Sequence, residues 1–193
     1  MKLVLMSTPQ FFVEEHQILT ALFDEGLELV HLNKPNSEPV FYERLLSLLP
    51  KEYRKLMVTH DYFYLQNEFD LKGIHLSEPG QEIPSRYKGS VSCTCHSLDE
   101  LSATKKDKDY VLLDVSQNDM LTQILKDASI RKGIDKKVFA LGNLDYESIA
   151  QIVDCGFGGV ILQDAIWSRF DPHNTQDFKD LINHFRKLRR LVN

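Results

Sequence analysis

The chain has 193 residues, 28 of them acidic and 23 basic, for a formal net charge of -5 at pH 7. That length suits one domain with a sizeable core, and the acidic balance argues against nucleic acid as the main partner, because phosphate backbones are held by concentrated Lys and Arg. No apolar run approaches membrane-spanning length, and Met1 to Met6 is too short for a signal segment, so the expectation is a cytoplasmic protein with no membrane partner.

In chain order the pattern alternates. Leu3 to Met6 reads as a strand and Phe12 to Asp24 as a helix; Leu29 to Leu32 and Phe41 to Leu48 repeat the pair. A third strand, Leu56 to Thr59, precedes a short helical stretch from Tyr62 to Phe69. The fourth, Gly73 to Leu76, leads into Glu78 to Lys88, where Pro79, Gly80 and Pro84 predict a loop in place of a helix. Then come Val91 to Cys95 and Leu98 to Ala103, Tyr110 to Val115 and Met120 to Ala128, Val138 to Leu141 and Tyr146 to Asp154, and Val160 to Leu162 before a closing helix from Thr175 to Leu191. Ser97 and Asp145 stand where helix-capping side chains belong. The strands are continuous apolar runs, as in parallel sheets covered on both faces. Eight of them at the spacing of compact βα units predict a single α/β domain over residues 1–193, a closed (βα)8 TIM barrel.

Such barrels gather their chemistry at the carboxyl ends of the strands. Those ends read Ser7, His31-Leu32-Asn33-Lys34, His60-Asp61, His75-Leu76-Ser77-Glu78, Thr94-Cys95-His96, Asp114, Gly142-Asn143 and Gln163-Asp164. Asp61 is either a cation ligand or the cap of the helix that follows. Gly142-Asn143 is either a phosphate-binding turn or a plain strand-to-helix turn. His31, His60, His75 and His96 end four successive strands, which suits either a transition-metal set or uncharged hydrogen-bonding groups. His16, His173 and His184 need only surface positions. Cys93, Cys95 and Cys155 lack the spacing of a metal or redox motif and read as buried apolar residues. Arg186 to Arg190 reads as the basic last turns of a helix.

Taken together, Gly73-Ile74-His75-Leu76, Val91 to Ser97, Ala140-Leu141-Gly142-Asn143-Leu144 and Gly158-Gly159-Val160 resemble, in order, four motifs of the thiamine-phosphate synthase and thiazole tautomerase superfamily. The resemblance spans nearly the whole chain. It implies a transferase that joins hydroxymethylpyrimidine pyrophosphate to a thiazole phosphate and releases pyrophosphate, with Mg²⁺ as cofactor and phosphorylated small molecules as partners. On the matching positions it implies Asp61 as Mg²⁺ ligand with Glu78 the nearest second carboxylate, and Lys34 as a pyrophosphate contact. Thr94 would line the pyrimidine site, His31, Asn33 and His60 would be further substrate-binding residues, and Gly142, Asn143 and Gly159 would hold the thiazole phosphate.

The departures from the family pattern are as specific as the matches. His31-Leu32-Asn33-Lys34-Pro35 stands in place of Gln-Leu-Arg-x-Lys, and His60-Asp61-Tyr62 in place of Asn-Asp-Arg. The loop after the sixth strand, Asp114 to Asp119, lacks the family's Ser/Thr run and Lys. Asp164 stands near a phosphate-contacting Ser. Two alternatives therefore accompany the synthase: a thiazole tautomerase that uses His96 as general acid or base without Mg²⁺, and a barrel that binds a phosphorylated ligand without catalysis. A homo-oligomer is compatible with all three.

Overall fold

Aliphatic runs without polar alternation must be covered on both faces, and the eight predicted runs become eight nearly fully buried strands. They are β1 (Lys2–Met6), β2 (Leu29–Leu32), β3 (Met57–Thr59), β4 (Gly73–Leu76), β5 (Ser90–Cys95), β6 (Tyr110–Asp114), β7 (Val138–Leu141) and β8 (Gly159–Leu162). In the computed structural model, which describes residues 1–117, 119–171 and 178–192, each strand pairs in parallel with the next and β8 returns to β1, closing the barrel.

Around the barrel lie α1 (Glu15–Asp24), α2 (Pro39–Leu48), α3 (Lys51–Arg54), α4 (Leu65–Phe69), α5 (Leu98–Thr104), α6 (Met120–Lys126), α7 (Ala128–Arg131), α8 (Tyr146–Ile152), α9 (Asp164–Trp167) and α10 (Lys179–Val192). Both expected caps form: Ser97 Oγ accepts from the Glu100 amide, and the Asp145 carboxylate from the Ser148 amide. Boundaries shift where local chemistry overrides periodicity. The first helix begins at Glu15 instead of Phe12, because Phe11 and Phe12 splay apart, one against Phe41 and Tyr42 and the other against Trp167 and Phe170. Tyr62 has φ of 49°, left-handed backbone that cannot open a helix, so α4 starts at Leu65. The helix expected to run to Ala128 stops at Lys126, since Asp127 caps a separate turn through the Ser129 amide. The expected start of the closing helix at Thr175, His173, and Asn118 lie outside the described residues.

The stretch from Glu78 to Lys88 carries no helix, as expected, and Phe63 and Tyr87 cover Ile74, Leu76 and Cys93 in its place. All three cysteines are buried and free. The basic end of α10 is fastened, not merely solvated: Arg186 pairs with Glu25 at the end of α1. Among the described residues no helix is long and apolar enough to cross a membrane. Two apolar layers result, one between strands and helices and one inside the barrel, the latter built from Val4, Met6, Leu29, Val58, Tyr110, Leu112, Phe139 and Ile161.

Candidate active site at the carboxyl ends of the strands

Alternation along each strand turns every second side chain into the barrel, and beyond the apolar Leu29 and Val58 the inward side chains of β2 to β5 are polar. His31 Nδ1 lies 2.9 Å from His60 Nε2, and the Tyr110 hydroxyl lies 2.7 Å from His31 Nε2. His75 Nδ1 meets Ser92 Oγ at 2.8 Å and its Nε2 meets Thr94 Oγ1 at 2.9 Å. The His60 and His75 rings stack with centroids 4.2 Å apart. Burial, with the other imidazoles adding to it, holds His31 and His60 neutral far below the usual imidazole range, and burial alone pushes His75 down to about 3. The phenol of Tyr110 is held protonated chiefly by burial.

Among the described residues, His31, His60 and His75 are the one set of three or more metal-capable side chains close enough to share an ion. Their arrangement is that of a hydrogen-bonded array. His31 and His75 use both ring nitrogens on neighbours. The stacked His60 and His75 rings, whose lone pairs lie in the ring planes, do not aim at one point about 2 Å from each, as zinc requires.

Asp61 is exposed at the rim after β3; its Oδ2 accepts from Tyr42 at 3.1 Å. Glu78 is exposed on the loop after β4. His96, at the end of β5, places Nδ1 3.4 Å from Asp114 Oδ2 at the end of β6. Burial opposes the charge on Asp114, but the hydroxyl and amide of Ser116, together with His96, outweigh it and hold the carboxyl below its usual range. His96 is thus a solvent-accessible imidazole steadied by a carboxylate.

Lys34, expected to face pyrophosphate, is fully buried. Its Nζ donates to Glu15 Oε1 at 2.5 Å, to Thr8 Oγ1 at 3.0 Å and to the Gln10 carbonyl at 2.9 Å, and sits 4.6 Å from the centre of the Phe11 ring. Burial outweighs the attraction of Lys34 and raises Glu15 to about 7, while burial likewise lowers Lys34. Glu15 Oε2 is the one buried side-chain polar atom without a hydrogen-bond partner among the described residues. Glu15 carries no sequence motif, and nothing in the helical pattern from Phe12 to Asp24 marks it as the partner of a buried cation. Asn33 is half-buried and its backbone is clasped by Ser7 Oγ, at 3.0 Å to both amide and carbonyl.

The two expected phosphate turns separate. Gly142 follows β7 with φ of 150°, and Asn143 is exposed beside it, on a cavity of about 460 Å³ lined also by Asp145, Glu147, Asp164, Arg169 and His184. Three carboxylates against one guanidinium make that cavity acidic. Gly159 opens β8 at the opposite end of the barrel, where a Cβ would lie 2.9 Å from the Phe139 ring. Its place is packing at the barrel floor. His31, His60 and Thr94 are thus brought together through His75, a strand-end histidine of the same expected set, and through Tyr110 and Ser92, which the sequence presented only as strand residues.

No protein-family model and no curated protein matches the chain. A solved thiamine phosphate pyrophosphorylase from Bacteroides thetaiotaomicron is 42% identical, with 100% of this chain and 98% of that chain covered and a TM-score of 0.89. A second, from Pyrococcus furiosus, is 19% identical over 99% and 95% with a TM-score of 0.75. The tryptophan synthase of Mycobacterium tuberculosis, at 14% identity, 99% and 92% coverage and a TM-score of 0.65, shares the fold alone.

Proposed function

The chain belongs to the thiamine phosphate pyrophosphorylase family, and from that premise we propose that it is a transferase joining hydroxymethylpyrimidine pyrophosphate to a thiazole phosphate. The observation that carries the reading is the 42% identity to such a protein over the full length of both chains. The barrel mouth agrees with it. A flat, uncharged pyrimidine suits the neutral array of His31, His60, His75 and Thr94, where a phosphate would find no cation.

Asp61, with Glu78, would hold Mg²⁺, since exposed carboxylate oxygens are the ligands that ion takes alongside substrate phosphates. Bound there, the ion supplies charge neutralisation for the departing pyrophosphate. The residues do the rest. Tyr42 orients the Asp61 carboxylate. The histidine array excludes water from beneath the pyrimidine, so the exocyclic carbon that loses pyrophosphate is left for the thiazole nitrogen. Gly142 and Asn143 would border the thiazole phosphate, with Arg169 as the one cation there to offset Asp145, Glu147 and Asp164. Lys34 acts as a brace between the loops after β1 and β2 and not as a phosphate contact.

The test is formation of thiamine phosphate from the two substrates with Mg²⁺. Activity should fall about a hundredfold in Asp61→Asn and vanish with chelator. Folded protein that forms no product would overturn the reading. The His96–Asp114 pair favours a second one, proton transfer on a bound thiazole phosphate. It predicts a chelator-insensitive exchange lost in His96→Asn.

A further inference from the structure

We infer that Tyr110 and His31 fix His60 as a one-way hydrogen-bond donor, presenting Nδ1–H to the barrel mouth, and so select a ring nitrogen lone pair on the substrate. The inference rests on the proposed reading in one respect only, that the mouth takes a pyrimidine.

A neutral imidazole has one nitrogen that donates and one that accepts, and an uncharged chain of such groups runs in a single direction once one end is set. The Tyr110 hydroxyl sets it. In this proposal the hydroxyl, 2.7 Å from His31 Nε2, donates to it, so Nε2 accepts and the His31 proton resides on Nδ1. That proton points to His60 Nε2 at 2.9 Å, so His60 in turn carries its own proton on Nδ1. His60 is 7% exposed, its Nδ1 has no hydrogen-bond partner among the described residues, and it is not among the sealed unpaired atoms, so it meets the open end of the barrel.

The chain orients without delivering a proton. Moving each proton one step toward the substrate would leave a tyrosinate in the buried lumen, which burial disfavours. Tyr110 and His31 are therefore positioning residues, and His60 is the contact. The ring of His75, stacked on His60 and tied at both nitrogens to Ser92 and Thr94, keeps the His60 plane from turning. A neutral donor with no adjacent cation suits a neutral acceptor. The carboxylate of Asp61, next in sequence, disfavours a bare phosphate there.

Two measurements decide it. Long-range proton–nitrogen NMR of the ligand-free protein reads the tautomers directly: His31 and His60 should both be protonated on Nδ1. A proton on His60 Nε2, or a stoichiometric transition metal bound to these rings, would overturn the inference whether or not any pyrimidine binds. Calorimetric titration with hydroxymethylpyrimidine and its two pyridine isosteres, each with CH in place of one ring nitrogen, reads the selection. One isostere should bind about tenfold more weakly, the worth of one hydrogen bond near the upper end of the usual range. In Tyr110→Phe, where His31 is free to change tautomer, that ratio should shrink to about threefold or less. Equal affinity for all three ligands in the wild-type protein would overturn the selection. Failure of every one to bind would instead remove the pyrimidine reading, with the tautomers still deciding the direction of the chain.

Discussion

The two halves of the barrel lumen are built on opposite principles. From β7 through β8 to β1 the inward side chains are Phe139, Leu141, Ile161, Val4 and Met6, which touch without direction. From β2 to β5, beyond Leu29 and Val58, they are His31, His60, His75, Ser92 and Thr94, each placed by a partner that must donate where it accepts. Tyr110 joins the halves: its ring stacks on Phe139 at 4.8 Å and its hydroxyl starts the histidine chain. Apolar packing tolerates a change of pH and not a change of volume; a buried hydrogen-bonded array does the reverse. The stable half thus supports a half whose polarity is free to serve recognition.

Removing Phe139 should produce the largest loss. Phe139→Ala empties a site between Tyr110 and Gly159 and should cost about 3–5 kcal/mol of unfolding free energy, equally at pH 7.5 and pH 6.0. Denaturant titration at both values checks it. A loss that depends on pH would mean that the apolar half acts by holding the histidines, and would dissolve the contrast.

Acid should strike the polar half next. His31, His60 and His75 have folded values below the unfolded 6.5, so below that pH the unfolded chain binds protons that the native one refuses. Their stability contribution is complete above pH 6.5 and is lost as pH falls. Glu15 works in the opposite sense: raised from 4.5 to about 7, it is protonated in the fold first and adds stability as pH falls through that window. Three groups against one leave a net loss that steepens from about 1 kcal/mol per pH unit at pH 6.5 to about 3 near pH 5. His75→Gln should flatten that slope by about 1.4 kcal/mol per unit. An unchanged slope would place the titrating groups elsewhere.

The fold was legible because strand burial and turn chemistry are local. All eight strands stand within one residue of their expected bounds, and Ser97 and Asp145 cap as their spacing foretold. The site was legible only in its rim. Strand-end position pointed to His31, His60, Asp61, Thr94 and His96, because barrel geometry fixes where strands end. It did not reveal Tyr110, which reaches the same array from the start of β6, because strand tilt and stagger bring unlike positions to one level. Nor did it reveal that Lys34 turns back to Glu15, a pairing across 19 residues with no periodic signature.

Gly159 separates the two readings most finely. As a family match it is a phosphate contact; in the barrel it is the hollow that the Phe139 ring fills, at the end away from the mouth. Gly159→Ala places a Cβ 2.9 Å from that ring, and Phe139 has little room to yield because Tyr110 stacks against it. The cost should be about 1–3 kcal/mol, the usual penalty of overpacking. The kinetic outcome should differ in kind. A substitution at the floor lowers the folded fraction and leaves KM for thiazole phosphate unchanged, whereas one at a phosphate turn raises KM and spares stability. Thermal unfolding and a substrate titration on the same variant therefore assign this glycine to packing or to binding, and with it decide whether the apolar half of the lumen takes any part in recognition.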